Sequence, residues 1–328
     1  MPKETDKNSW WIYEGSKELS DISTIIPPWR DKKVENKGHN AKNFIPLSDE
    51  LINAVNTAIY LRRPLLVTGK PGIGKSSLAK SIAHQLLGEG SEPLYWQITS
   101  KSELKDALYS YDALSRLQDI QIKHLDKNSE ELETGIENYL KLTSLGTAFV
   151  SDKQPMVVLI DEIDKSDVDL PNDLLHIFEE QEFEIDELKR MKFKEGAEPS
   201  IEDALGKGHK LKDGKVVCKH FPIIVMTSND EREFPPAFLR RCISVEMKLD
   251  ENEKKREEQL TQIVKAHFGA DKIDEQVTKL IKDFMDAKGL QSNDQLLNAI
   301  FLLMNTKHDS FEAFKAECER ILFKSLNA

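Results

Sequence analysis

Short apolar runs alternate along this chain with longer segments in which apolar residues recur every three or four positions. The runs are PLLVTG at 64–69, LYWQIT at 94–99, MVVLID at 156–161, PIIVMTS at 222–228 and CISVEM at 242–247. Each has the length of a buried strand, whereas LSDELINAVNTAIYL before the first run and KSSLAKSIAHQLL after it keep helical spacing. Strands separated by helices predict a parallel sheet covered on both faces. The expected fold class is therefore α/β: an αβα sandwich around five parallel strands.

Beyond Met247 no strand pattern recurs. EKKREEQLTQIVKAHF, DEQVTKLIKDFMDA, NDQLLNAIFLLM and SFEAFKAECERILF are each amphipathic at helical spacing, which predicts a small all-helical domain. The expected organisation is an N-terminal arm at 1–44, an αβα core at 45–248 and the helical domain at 249–328. Trp10, Trp11, Tyr13 and Trp29 stud the arm, and the pair Pro27, Pro28 forbids regular helix there, so it is read as an extended segment lying on the main domain. Within the core, 101–150 carries helical periodicity and reads as a helical insertion. Asp213 and Gly214 form a strong turn pair, which predicts a hairpin over HKLKDGKVVCKH.

The 328 residues are long enough to bury a sizeable core. The net charge of −11 opposes general nucleic-acid binding, because backbone phosphates must be met by local positive charge. The lysines between 189 and 219 are the sole support for a nucleic-acid partner. Cys218, Cys242 and Cys318 are widely separated and lack CxxC spacing, so neither a disulfide framework nor a zinc site is expected. The start MPKETDKNSWWIYEG lacks signal-peptide character and no later apolar run reaches membrane-spanning length. The expectation is a mature chain equal to the whole sequence, in the cytoplasm, with no membrane contact.

Residues 69–76 read GKPGIGKS, a phosphate-binding loop placed between a predicted strand and a predicted helix. Its backbone N–H groups can converge on phosphates, and Lys75 can reach the β and γ phosphates. The expected cradle is Gly69, Lys70, Pro71, Gly72, Ile73, Gly74, Lys75, Ser76 and Ser77, with Ser76 a ligand for Mg²⁺. The run VVLIDE puts Asp161 and Glu162 at the C-terminal end of a buried strand, the edge where open α/β sheets bind ligands. Asp161 is expected to hold Mg²⁺ and Glu162 to polarise the water attacking the γ phosphate. TSND brings Thr227, Ser228 and Asn229 to the same edge, with Asn229 chosen to orient that water. Arg240 and Arg241 precede the fifth strand, and a guanidinium suits the charge of a transferring phosphoryl group.

The series GKPGIGKS, VVLIDEID, TSND and LRRC, followed by a helical domain, resembles the AAA+ ATPases over roughly residues 45–328. The insertion after the second strand, DGKVVCKH before the fourth and PPAFLRRC resemble the MoxR branch. The resemblance implies a P-loop NTPase sheet in the order 5-1-4-3-2, a helical lid over ATP, and hexameric rings in which Arg241, with Arg240, enters the adjacent subunit's site. Asp294 stands where such proteins often carry a sensor arginine. A carboxylate there is repelled by the γ phosphate and is expected to face away.

Three functions stay open at this point. One is an ATP-driven ring that remodels a partner protein in a chaperone-like or conflict-system role. A second is a slow-turnover switch or scaffold assembled by nucleotide. The third is a motor on nucleic acid.

Overall fold

The computed structural model describes residues 26–31, 38–125, 134–190, 198–286, 292–306 and 310–323. It divides into two compact units. One comprises Glu50–Thr68 and Ser91–Glu246; the other comprises Met1–Asp49, Gly69–Gly90 and Met247–Ala328.

The first unit is built on five parallel strands, β1 (Leu65–Thr68), β2 (Leu94–Gln97), β3 (Val157–Asp161), β4 (Ile223–Ser228) and β5 (Ile243–Glu246), in the spatial order β5-β1-β4-β3-β2. This is the order the AAA+ resemblance implies. Val67, Leu159, Ile160, Val225 and Met226 have no exposed surface, as expected of a sheet buried on both faces rather than one. The register is continuous: Ile243, Leu65, Val225, Leu159 and Tyr95 stand level. Because all strands run one way, Gln97, Asp161, Thr227 and Thr68 gather at one edge.

The segment 101–150 is not purely helical. Helices Leu104–Leu108 and Ala113–Leu125 flank a strand at Tyr109–Tyr111, which pairs antiparallel with Leu140–Leu142. The signal was too short to stand out: Leu140, Lys141 and Leu142 alternate buried, exposed, buried, but over three residues only. These strands join Ser200–Glu202 and Gly208–Lys210 in a four-stranded sheet. The hairpin expected around Asp213 and Gly214 also differs. Both residues take the left-handed conformation that a tight turn needs, at φ 54° and 69°. The flanking strands nevertheless pair elsewhere, Gly208–Lys210 with Ser200–Glu202 and Lys215–Val217 with Glu182–Glu184. The backbone beside the turn is already engaged, since Leu211 N donates to Pro199 O and Ile185 N to Gly214 O.

In the second unit, α1 (Lys75–Leu87) follows the glycine-rich loop, and α2 (Glu253–Phe268), α3 (Glu275–Asp286), α4 (Asn293–Asn305) and α5 (Phe311–Ile321) form the helical segment. Their starts are set locally: Asn252 caps α2, Ser310 caps α5, and Ser292 with Gln295 makes a reciprocal capping box on α4. Leu260, Ile263 and Val264 on α2, Leu280 and Ile281 on α3, and Leu296 and Ile300 on α4 are buried at helical spacing. Trp29 of the N-terminal arm meets His267, Phe268 and Phe301 edge-on, so this part of the arm packs on the helical segment. Trp10, Trp11 and Tyr13 lie outside the described residues. Among the described residues no helix is long and apolar enough to cross a membrane.

Candidate functional site

Each unit holds one set of the residues singled out by sequence. In the second unit the loop at 69–74 is shaped by close approaches that exclude side chains. A Cβ on Gly69 would lie 2.4 Å from the Met247 carbonyl oxygen, and one on Gly72 would lie 2.2 Å from the Ser292 Cβ. Both glycines have positive φ. The loop curls around the Lys75 ammonium, which is buried and donates to Gly69 O at 2.6 Å and Lys70 O at 3.1 Å. Helix α1 opens on Gly74 with no side-chain cap and no acidic residue in its first turn. The first turn therefore carries no acidic residue of its own against the partial positive end of the helix, and the stripped-down loop brings backbone N–H groups together in a way that suits an anion. These features fit a polyphosphate.

Beside this loop is a cavity of about 130 Å³, bounded by Gly72, Ile73, Gly74 and Ser77, by Trp29, Asn43 and Phe44, and by Ile263, His267 and Leu297 of the helical segment. Asn293 donates to Ile73 O at 3.4 Å. Asp294 also borders the cavity, its carboxylate accepting from Asn298 at 2.9 Å. His267 and His39 share a 3.2 Å hydrogen bond, and Asn43 lies 3.1 Å from His39. Burial, then the neighbouring His39, pushes the His267 pKa down from 6.5 to about 4. A histidine whose folded pKa is depressed adds stability above its unfolded pKa and loses it as pH falls towards the folded one. Unfolding of this unit in urea is expected to lose about 2 kcal/mol of stability between pH 7 and pH 5 through His267. His267→Gln should flatten that dependence, measured as the midpoint at the two pH values.

In the first unit the acids at the strand edge are cross-tied. Thr227 Oγ1 on β4 donates to Asp161 Oδ1 at 2.6 Å and accepts the Glu162 amide at 2.9 Å. One buried hydroxyl thus fixes both the metal-ligand candidate and the backbone of the base candidate. Glu162 leaves the strand with φ 62°, a left-handed turn that ends β3. Its Oε2 accepts from Gln97 at 2.7 Å and from the Lys165 ammonium at 2.8 Å. That bond raises the Lys165 pKa. Tyr95 donates to Asp161 Oδ2 at 3.2 Å, and burial together with that carboxylate pushes the phenol up to about 12. The amides of Asn229 and Glu231 both donate to Asp164 Oδ2, at 2.8 and 3.2 Å.

The sequence reading overlooked Gln97, Lys165, Tyr95 and Asp164. Gln97 had a signal, since it ends the run LYWQ and so reaches the same edge as the acids. Lys165 did not, because nothing in IDEIDK says which carboxylate it will meet.

Arg240 and Arg241 close the helix Pro236–Arg241 and lead into β5. Their carbonyls accept from the Arg63 guanidinium, and Arg241 pairs with Glu179 at the exposed surface. The start of β5 at Ile243 is level with Leu159, two residues or about 7 Å below Asp161, and the arginines lie further back still. They therefore occupy the sheet edge opposite the acids.

Residues 63–274, more than half of the chain, match the AAA domain (Cdc48 subfamily). The chain belongs to this AAA domain family. Two solved structures are similar at low level: NtrX from Brucella abortus in complex with ATP, at 14% identity with TM-score 0.41, and the same protein with ADP, at 13% and 0.39. Each likeness covers 81% of this chain, and the chain spans about half the length of those structures. No match is found among curated proteins. As a member of the AAA family, the chain is an ATP-binding protein.

Proposed function

We propose that this AAA protein is a Mg²⁺-dependent ATPase of the MoxR-like kind, working as a hexameric ring that remodels a partner protein. The observation that carries the reading is the pairing of Asp161, locked by Thr227, with Glu162, a carboxylate held at the same strand edge by Gln97 and Lys165. Ser76 and Asp161 would hold the metal. They fit it in kind, because Mg²⁺ takes few protein ligands and fills the rest with water and phosphate oxygens. When bound, it neutralises charge on those oxygens.

Lys75 draws the phosphates into the loop. Glu162 takes a proton from the attacking water, and Asn229 orients that water. Gln97 and Lys165 hold the Glu162 carboxylate in one rotamer, which limits idle turnover until those bonds exchange. Arg241, on the opposite edge from its own acids, is suited to serve a neighbouring subunit's nucleotide.

The protein-partner reading is supported by the insertion. Helix Ala113–Leu125 has no buried residue and exposes Leu114, Leu117, Ile122 and Leu125, and a groove of about 760 Å³ lies beside it, lined by Tyr111, Asp112, Glu137, Tyr139 and Glu202. Among the described residues nothing covers that apolar stripe. Four of the eight lysines between 189 and 219, which are the support for nucleic acid, are engaged in ion pairs: Lys189, Lys207, Lys215 and Lys219 pair with Glu184, Asp152, Glu182 and again Asp152. Steady-state phosphate release decides between ring ATPase and switch. Turnover per subunit is expected to rise with protein concentration across the assembly range, whereas a flat, slow rate at every concentration would favour the nucleotide-controlled scaffold.

A further inference from the structure

We infer that Asp164 is a positioning residue for hydrolysis, which by accepting the amide hydrogens of Asn229 and Glu231 sets the direction from which the Asn229 side chain projects. The inference rests on the ATPase reading above and adds to it a residue outside the phosphate-binding, metal and base roles.

Asp164 is only 6% exposed, and it lies in the short helical turn Ile163–Lys165 that follows β3. Its Oδ2 takes the Asn229 and Glu231 amides of the turn that ends β4. Its Oδ1 is buried with no donor among the described residues. A buried carboxylate with one oxygen unsatisfied is a costly way to brace a turn, which a neutral amide or hydroxyl could cap without burying charge. What the carboxylate supplies is a stronger acceptor, and so a stiffer turn.

One further bond shows that the turn is held rather than merely closed. The Asp230 amide donates to Ser228 Oγ at 3.0 Å, and Asp230 itself sits at φ 63°. Thr227 on β4 ties down the exit of β3, while Asp164 on the exit of β3 ties down the end of β4. The acid pair and the Asn229 turn are thereby braced against each other, so a loss at Asp164 should misdirect Asn229 without touching the phosphate-binding loop.

The test has two readouts on the full chain, for Asp164→Ala and Asp164→Asn. Without nucleotide, amide hydrogen exchange at Asn229 and Glu231 is expected to quicken by at least about tenfold in the alanine variant, with the asparagine variant intermediate. With ATP, kcat is expected to fall by about tenfold or more in the alanine variant at a KM within about threefold of wild type, and the asparagine variant to recover most of the loss. If Asp164→Ala does not fold, Asp164→Ser carries the same expectations. Unchanged exchange at both amides overturns the inference, as does a change confined to KM. A wild-type chain without turnover overturns the ATPase reading and with it the role in hydrolysis, and the exchange data then still say whether Asp164 holds the turn.

Discussion

Glu162→Gln is expected to bind ATP as tightly as the wild-type chain and to hydrolyse it about 10²–10⁴-fold more slowly, the usual loss when a general base is removed. The variant isolates chemistry from binding. The carboxamide keeps the length of the side chain and can still accept from Gln97, and the residue is partly exposed, so no core contact is lost. The Lys165 ion pair disappears, but that lysine is 43% exposed and such a pair contributes at most about 1 kcal/mol. The backbone at φ 62° is set by the Thr227 hydroxyl and the strand end rather than by the side chain's charge. Phosphate release gives the rate, and titration with a fluorescent ATP analogue gives the affinity. Turnover within about tenfold of wild type would remove Glu162 from the role of base.

Much of the sheet was legible because burial on both faces writes itself into sequence as unbroken apolar runs. MVVLID and PIIVMTS contain residues with no exposed surface at all, and a run of that kind admits few alternatives. Two glycines of the loop at 69–76 have a different physical reason: the backbone passes so close to Met247 and Ser292 that Gly69 and Gly72 leave no room for a Cβ. The insertion was harder. Tyr109–Tyr111 and Leu140–Leu142 are strands three residues long, held by partners distant in sequence, and neighbouring helices drown so short an alternation. The turn at Asp213 and Gly214 could be read from its dipeptide, but its strand partners could not, because pairing is decided by which distant backbone groups are still unengaged.

The same distinction separates the site residues. Asp161 and Glu162 announce themselves by following a buried strand. Their supports are different in kind: Thr227 was visible as an edge residue, yet its bridging of the Asp161 carboxylate and the Glu162 amide depends on β4 lying beside β3, a fact of topology. Asp164 is less legible still, since an acidic residue after DE reads as a solvated turn until its burial is known. Sequence thus exposed the candidate groups, while the side chains that hold them in place emerged from strand order.

Strand order also leads to the prediction for Arg241. The arginines feed the start of β5, and the acids end β3, so the parallel sheet puts them on opposite edges of one subunit. If Arg241 stabilises a transferring phosphoryl group, that group belongs to another copy of the chain. Arg241→Ala is then expected to lower turnover by about 10³-fold or more, the range seen when such an arginine is withdrawn, while leaving ATP affinity nearly unchanged. Stability should hardly move, because the lost Glu179 pair is half exposed on both sides and the Arg63 bonds are to backbone carbonyls that remain. Mixing is the decisive measurement. Arg241→Ala subunits retain Glu162, and Glu162→Gln subunits retain Arg241, so a mixed ring contains some sites with both groups and regains part of the wild-type rate. Recovery should peak near equal proportions and vanish on dilution below assembly. A mixture that stays as inactive as its components at every ratio would mean that Arg241 does not complete a neighbour's site, and the helix Pro236–Arg241 would then be a brace between Arg63 and Glu179 with no part in the chemistry.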